Sequence, residues 1–164
     1  MWVVKCPDDE CSLGFLPKGF VDRVKDRGLL ISYWVPQIEV LSHKSTGGFL
    51  THCGWNSILE SISHAVPMIA WPLYAEQKLN TVILNKGLKV ALTLKSNEAS
   101  VVEADQIAEV VKELLLGASG SKIRNQMEDL SNIARKAITD NGNSTKALKE
   151  VANRWMSTTK THAM

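Results

Sequence analysis

The sequence is poor in several features that assign proteins to a class at sight. No apolar run approaches the ~18–20 residues that a membrane span needs. Lysine and arginine number 19 against 17 aspartate and glutamate, a formal charge of +2, with no long run of either sign. Charge therefore gives no reason to expect nucleic acid or an anionic membrane surface as a partner. The opening residues, Met1-Trp2-Val3-Val4-Lys5, lack the long apolar region and small-residue cleavage site of a secretory signal. There are three cysteines, Cys6, Cys11 and Cys53, an odd number without a repeated spacing, which argues against a disulfide framework. Cys6 and Cys11 flank an acidic loop and read as free thiols that would bridge only in an oxidising compartment. His43, His52, Cys53 and His64 lack the spacing of a closed zinc site. These absences lead to the expectation of a cytoplasmic domain without a resident metal or organic cofactor.

What is present is a chain of 164 residues with 45% apolar side chains, enough for a packed core. Trp2-Val3-Val4 reads as a buried strand, and Leu29-Leu30-Ile31 as a second. Phe20, Val21 and Val24 share one face of a short helix, and Pro36 starts another turn carrying Ile38, Val40 and Leu41. Strands are expected at 48–51, 66–70 and 90–94. Helices fall between them, from Trp55 to about His64 and from Glu76 to about Lys86. In the second, Leu79, Val82 and Ile83 form the apolar face and Gly87 the residue after the end. Three helical patterns follow, marked by Ile107, Val110, Val111, Leu114 and Leu115, by Ile123, Met127, Leu130, Ala134 and Ala137, and by Leu148, Val151 and Trp155. Gly117 to Gly120 and Asn141-Gly142 punctuate them. The expected organisation is one domain over 1–157 and a frayed tail over 158–164. Strands alternating with helices imply a parallel, doubly wound α/β sheet with right-handed crossovers. Ligands of such sheets bind at the carboxyl ends of the strands.

The stretch from Trp34 to Gln77 carries the chemistry. A strand runs into the polar turn His52-Cys53-Gly54, which opens a helix at Trp55-Asn56-Ser57. The first N–H groups of a helix lack internal partners and carry partial positive charge, so this junction suits an anion. Asn56 and Ser57 can supplement those donors, and His52 can donate to a phosphate oxygen. Glu60, one turn on, would repel a phosphate unless it reaches past it to neutral hydroxyls, for which a ribose diol is the natural candidate. Ile58 and Ile62 would face the sheet. Trp34 offers a flat surface for a base, Gln37 a donor and an acceptor, and Glu76-Gln77 two further hydroxyl-binding side chains. Together they describe the parts of a nucleotide sugar. A Cys53 nucleophile with His52 as its base is disfavoured, because adjacent residues at a strand end point apart. Trp2, Trp71 and Trp155 read as core or partner-surface residues, and His43 as a capping or surface residue.

This stretch resembles the signature box of plant secondary-product glycosyltransferases, the UDP-sugar-binding segment of family 1. The residues that carry the resemblance are Trp34, Pro36-Gln37, Leu41, His43, Gly48, Phe49, Thr51 through Ser57, Glu60, Val66-Pro67, Pro72 and Glu76-Gln77. It extends on both sides, through Leu16 to Phe20 and through Glu103 to Trp155. The pieces Ser45 to Leu50 and Ala70 to Gln77 look most like the hydroquinone and monolignol glucosyltransferase branch. The resemblance implies an incomplete C-terminal, donor-binding domain of a GT-B glycosyltransferase. By position, Trp34 would stack on uracil and the Val35 backbone would pair with it. Gln37 and Glu60 would hold the ribose, and His52, Asn56 and Ser57 the diphosphate. Trp55, Glu76 and Gln77 would contact sugar hydroxyls, with Ala75 beside them in the donor-binding set. The terminal glutamine of the box implies UDP-glucose as donor, and the branch implies a phenolic or phenylpropanoid hydroxyl as acceptor.

Two positions depart from the family pattern. Ala65 stands where the family has glycine before Val-Pro, and a positive φ there would cost alanine about 1 kcal/mol. Ile58 replaces a small hydroxyl residue, which is expected to remove a polar group near the phosphates. The resemblance also places the catalytic histidine, its aspartate partner and the acceptor pocket in an N-terminal domain with no counterpart here. The chain is expected to start at about the second strand of its own domain, without the strand and the diphosphate-binding serine before it. No residue of this chain is expected to be catalytic. Two readings stay open, a glucosyltransferase acting by inverting displacement, or a non-catalytic remnant that at most binds UDP-sugar.

Overall fold

A computed structural model describes the backbone of residues 1–4, 13–95 and 101–161, with side chains to 157. Cys6 and Cys11 lie outside the described residues. The chain divides into two compact units, Met1–Val40 and Leu41–Met164, where the sequence suggests one domain over 1–157.

The first unit holds a pair of parallel strands, β1 (Trp2–Val3) and β2 (Leu30–Ile31), in register Trp2 to Leu30 and Val3 to Ile31. Helix α1 (Phe20–Val24) lies between them in sequence, entered through Gly19 at φ 73°. The Trp2 and Phe20 rings meet edge to face, with centroids 6.0 Å apart and planes at 73°. The strand expected to be buried is instead exposed, Trp2 at 51% and Val3 at 43%. A two-residue strand paired on one side has too little sheet around it to be covered.

In the second unit a parallel sheet runs in the order β3 (Phe49–Thr51), β4 (Met68–Ala70), β5 (Ala91–Thr93). The register pairs Thr51 with Ala70 and Ala70 with Thr93, so all three strands end at one edge. Strand β4 is buried throughout, and its alternating side chains feed two cores. Met68 and Ala70 point into one, with Ile58 and Ile62 of α3 (Trp55–Ser63), Leu84, Val90 and Met127. Ile69 points into the other, with Leu94, Val102, Leu114 and Ile123. This is the doubly wound parallel α/β arrangement expected from the alternation of strand and helix.

Helices α5 (Ala104–Leu116) and α6 (Ala118–Ala137) follow their periodicity, apart from Leu115, which is exposed. In α5, Ile107, Val110 and Val111 flank the buried Leu114 on the second core. In α6, Met127, Leu130 and Ala134 face the first core while Ile123 reaches the second. Gly120 does not punctuate but lies inside α6, where a Cβ would meet the Leu114 carbonyl at the end of α5. Only glycine lets the two helices turn so tightly there.

Three expectations need correction. Helix α4 (Gln77–Val82) turns its apolar residues outward, with Leu79 63% and Val82 48% exposed, and buries Gln77, Asn80 and Thr81. The helix ends in a wider π turn over Ile83–Gly87, in which the Leu88 N–H donates to the Ile83 carbonyl at 2.8 Å. The extra residue of that turn moves the left-handed position to Lys89, φ 56°, rather than Gly87. In α7 (Asn143–Thr161), the stripe of Leu148, Val151 and Trp155 is exposed, Trp155 at 74%. Of the segment 158–164, expected to be a frayed tail from its terminal position, residues 158–161 carry the backbone of α7 onward, and 162–164 lie outside the described residues. No helix among the described residues is long and apolar enough to cross a membrane.

Candidate functional site

The residues singled out from sequence fall in both units. Trp34, Val35 and Gln37 belong to the first, where Trp34 is 81% exposed and Val35 and Gln37 are half-buried. The flat face of Trp34 is therefore open for stacking. Gln37 is the first residue of α2 (Gln37–Ser42), immediately after Pro36.

The remaining candidates lie in the second unit, at the carboxyl edge of its sheet. The chain leaves β3 through His52, Cys53 and Gly54 and enters α3 directly. His52 is exposed and Cys53 wholly buried, so the two side chains diverge as expected for neighbours at a strand end. Cys53 takes a left-handed conformation, φ 68°, which a non-glycine residue adopts at a cost of about 1–2 kcal/mol. Its contacts over-determine that geometry. The Cys53 N–H donates to Thr51 Oγ1 at 3.1 Å, its Sγ lies 3.5 Å from the Thr51 carbonyl, and its own carbonyl accepts from Asn80 Nδ2 at 3.0 Å. Burial pushes the Cys53 thiol above its ordinary range, against smaller opposing hydrogen bonds from Thr81 and Trp71. It is thus held protonated, and a nucleophilic role finds no support.

Gly54 is the N-cap of α3 at φ −65° and ψ 140°, and brings no side chain to occupy the first N–H groups of the helix. The His52 imidazole folds over it, where a Cβ on Gly54 would collide with the ring. Trp55 (48% exposed) and Asn56 reach solvent in the first turn, while Ser57 and Glu60 are half-buried. Ile58 is fully buried in the core. It faces the sheet, and its expected effect on polarity near a phosphate is corrected accordingly, since its side chain never reaches that side of the helix.

The loop after β4 leaves the same edge. Leu73, Tyr74, Ala75 and Glu76 are exposed, and Ala75 is left-handed at φ 51°. Gln77, expected to present its amide to a ligand, is 3% exposed, and its Oε1 accepts the backbone N–H groups of Leu73 at 2.8 Å and Tyr74 at 3.0 Å. Only the NH₂ side of that amide remains for another partner. Ala65 adopts φ 56°, the strained geometry anticipated for an alanine at that position. His43 Nδ1 accepts the Ser45 N–H at 3.2 Å, a local cap. Among the described residues, no three His, Cys, Asp or Glu side chains are grouped to hold a metal ion.

The family model described as "UDP-glucoronosyl and UDP-glucosyl transferase" matches residues 21–137. The chain belongs to this family. It is 51% identical over 168 residues to a hydroquinone glucosyltransferase of Rauvolfia serpentina, a match covering 94% of this chain and 36% of that protein. An anthocyanidin 5,3-O-glucosyltransferase of a Rosa hybrid cultivar is 49% identical, with 94% and 34% covered. Among solved structures, Phytolacca americana UGT2 complexed with UDP-2fluoro-glucose and pterostilbene superposes at TM-score 0.86 with 60% identity, covering 94% of this chain and 34% of that one. The chain spans about a third of the length of these UDP-glycosyltransferases and matches their C-terminal part, so its α/β fold is a portion of a GT-B glycosyltransferase.

Two polar residues of this UDP-glycosyltransferase chain at the same edge escaped the sequence reading, Asn80 and Thr81. Thr81 Oγ1 donates to the Gln77 carbonyl at 2.9 Å. Their signal was the polar spacing 77, 80, 81, one helix face, obscured by the apolar set Leu79, Val82 and Ile83 interleaved with it.

Proposed function

We propose that this chain is the donor-binding part of a UDP-glucose-dependent glycosyltransferase acting on a hydroxyl of a small phenolic metabolite in the cytoplasm. The observation that carries the reading is the pinning of two loops at one sheet edge. The turn 52–54 and the loop 73–77 are both held by α4, the turn through Asn80 and the loop through Gln77, beside the N-terminus of α3. That arrangement suits a diphosphate on the helix end and a sugar on the loop. In this reading Trp34 stacks on uracil, the Val35 backbone pairs with it, and Gln37 and Glu60 take the ribose hydroxyls. His52, Asn56, Ser57 and the first N–H groups of α3 hold the diphosphate. Trp55, Glu76 and the remaining amide donors of Gln77 take the sugar, with Ala75 shaping the loop. Donors of this kind hold the diphosphate without a metal, so UDP affinity is expected to be unchanged by EDTA.

The reaction is an inverting displacement. A base on the acceptor side removes the proton of the acceptor hydroxyl, whose oxygen attacks the anomeric carbon. The bond from that carbon to the β-phosphate oxygen breaks, and UDP leaves with the pair of electrons. The donor half contributes by stabilising the negative charge that develops on the diphosphate. His52 lies on the diphosphate side, so the base is not one of these residues. By itself, the chain is accordingly proposed to bind donor without transferring sugar.

Calorimetric titration of the purified chain with UDP and UDP-glucose tests the reading. Saturable binding, weakened in His52→Ala and Glu60→Ala, is the expected result. A chain that melts cooperatively yet binds neither nucleotide sinks it.

A further inference from the structure

We propose that Asn80 is a positioning residue that couples the diphosphate-facing turn 52–54 to the sugar-facing loop 73–77. The proposal rests on the donor-binding reading for the names of the two loops, and on geometry for everything else. Helix α4 is amphipathic in the unexpected sense, its polar residues Gln77, Asn80 and Thr81 buried and its apolar Leu79, Val82 and Ile83 turned outward. Buried polar side chains are tolerated where each finds a partner. Here each does, and the partners lie on the two loops or on the helix itself. Gln77 holds the N–H groups of Leu73 and Tyr74, Asn80 holds the carbonyl of Cys53, 27 residues away in sequence, and Thr81 bonds the Gln77 carbonyl. One rigid turn of helix therefore grips both loops at once.

The grip falls where the backbone is least able to hold itself. Cys53 and Ala75 are both non-glycine residues in the left-handed region, one in each loop. The Cys53 carbonyl belongs to the peptide that leads into Gly54, whose own carbonyl accepts the Ile58 N–H at 3.1 Å in the first turn of α3. Without the Asn80 amide, that carbonyl loses its side-chain partner, and the N–H groups that open α3 are held less firmly in direction. A ligand ordering the turn would, through Asn80 and Gln77, also order the loop. Occupancy at the diphosphate end thus prepares the sugar end.

The test uses the full chain and three variants. Asn80→Asp keeps the shape and, when ionised, has no donor, Asn80→Ala removes the side chain, and Thr81→Val disturbs the same buried face and removes the Thr81 bond to the Cys53 thiol while leaving the Cys53 carbonyl held. Amide hydrogen exchange at Cys53, Ile58, Leu73 and Tyr74 is followed with and without UDP, beside thermal melts and UDP titration. In the wild-type chain, UDP, which carries no glucose, should slow exchange at Leu73 and Tyr74. In Asn80→Asp and Asn80→Ala that remote protection should vanish, ligand-free exchange at Cys53 and Ile58 should rise, and UDP affinity should fall about tenfold. Thr81→Val should lower the melting temperature and keep both the affinity and the remote protection. The proposal is overturned if the Asn80 variants lose thermal stability alone, or if Thr81→Val loses affinity as they do. A wild-type chain with no UDP affinity defeats the donor-binding reading instead, and ligand-free exchange at Cys53 and Ile58 still decides whether Asn80 holds the turn.

Discussion

Gln77 accepts the Leu73 N–H on its side-chain carbonyl at 2.8 Å, so a residue read as a sugar contact is first a clamp on its own loop. The same oxygen also takes the Tyr74 N–H. The two halves of the amide can therefore be tested apart. Gln77→Ala strands both N–H groups and is expected to lower stability by about 1–3 kcal/mol. Gln77→Glu retains an acceptor for the loop but loses the NH₂ donors, and should fold near wild-type stability. Its ratio of UDP-glucose to UDP affinity should fall, as measured by paired titrations; an unchanged ratio would remove Gln77 from the sugar contacts.

Ala65 sits at φ 56° between α3 and β4. Glycine adopts this conformation without a Cβ clash, and the relief outweighs the extra freedom glycine gains in the unfolded chain. Ala65→Gly is expected to stabilise the fold by about 1 kcal/mol, a rise of roughly 2–4 °C in Tm for a chain of this size. A lower Tm would show that the strain is relieved elsewhere.

The Cys53 thiol is buried, and its raised pKa has a definite sign. The folded state keeps the proton to higher pH than the unfolded state, whose cysteine titrates near ~8.5. The thiol's contribution to stability is thus fully present below about pH 8.5 and is lost as pH rises towards the folded value. Chemical denaturation of wild type and Cys53→Ala between pH 7 and 10 should show a steeper alkaline loss in the wild type. Parallel curves would contradict it.

His52 and Gly54 should behave as one unit. A Cβ at Gly54 pushes against the imidazole, which can rotate away, while φ −65° suits alanine. Gly54→Ala is expected to fold and to weaken UDP binding by about as much as His52→Ala. In the His52→Ala background, Gly54→Ala should then add little. Additive losses in this double-mutant cycle would mean that Gly54 acts on the helix N-terminus directly.

The order of strands and helices was legible because each element announces itself through its own spacing. Ile123, Met127, Leu130 and Ala134 repeat at helical intervals and are all at least half-buried. The turn at 52–54 was legible as well, because a strand, a glycine and a helix start are consecutive in the chain. The facing of α4 was not. Its apolar triplet Leu79, Val82 and Ile83 has the same period as a core stripe and masks the polar set Gln77, Asn80 and Thr81 interleaved with it. The same holds for Leu148, Val151 and Trp155 of α7, which are exposed.

The sequence by itself determined the parallel α/β architecture, the strand–turn–helix junction at Trp55 and membership of the UDP-glycosyltransferase family. These rest on local periodicity and on a contiguous run of residues from Trp34 to Gln77. Only the tertiary structure decided that Gln77, Asn80 and Thr81 face inward. A polar side chain is buried only where a partner awaits it, and the partner of Asn80 is a carbonyl 27 residues away, on a turn that the fold alone brings within 3.0 Å.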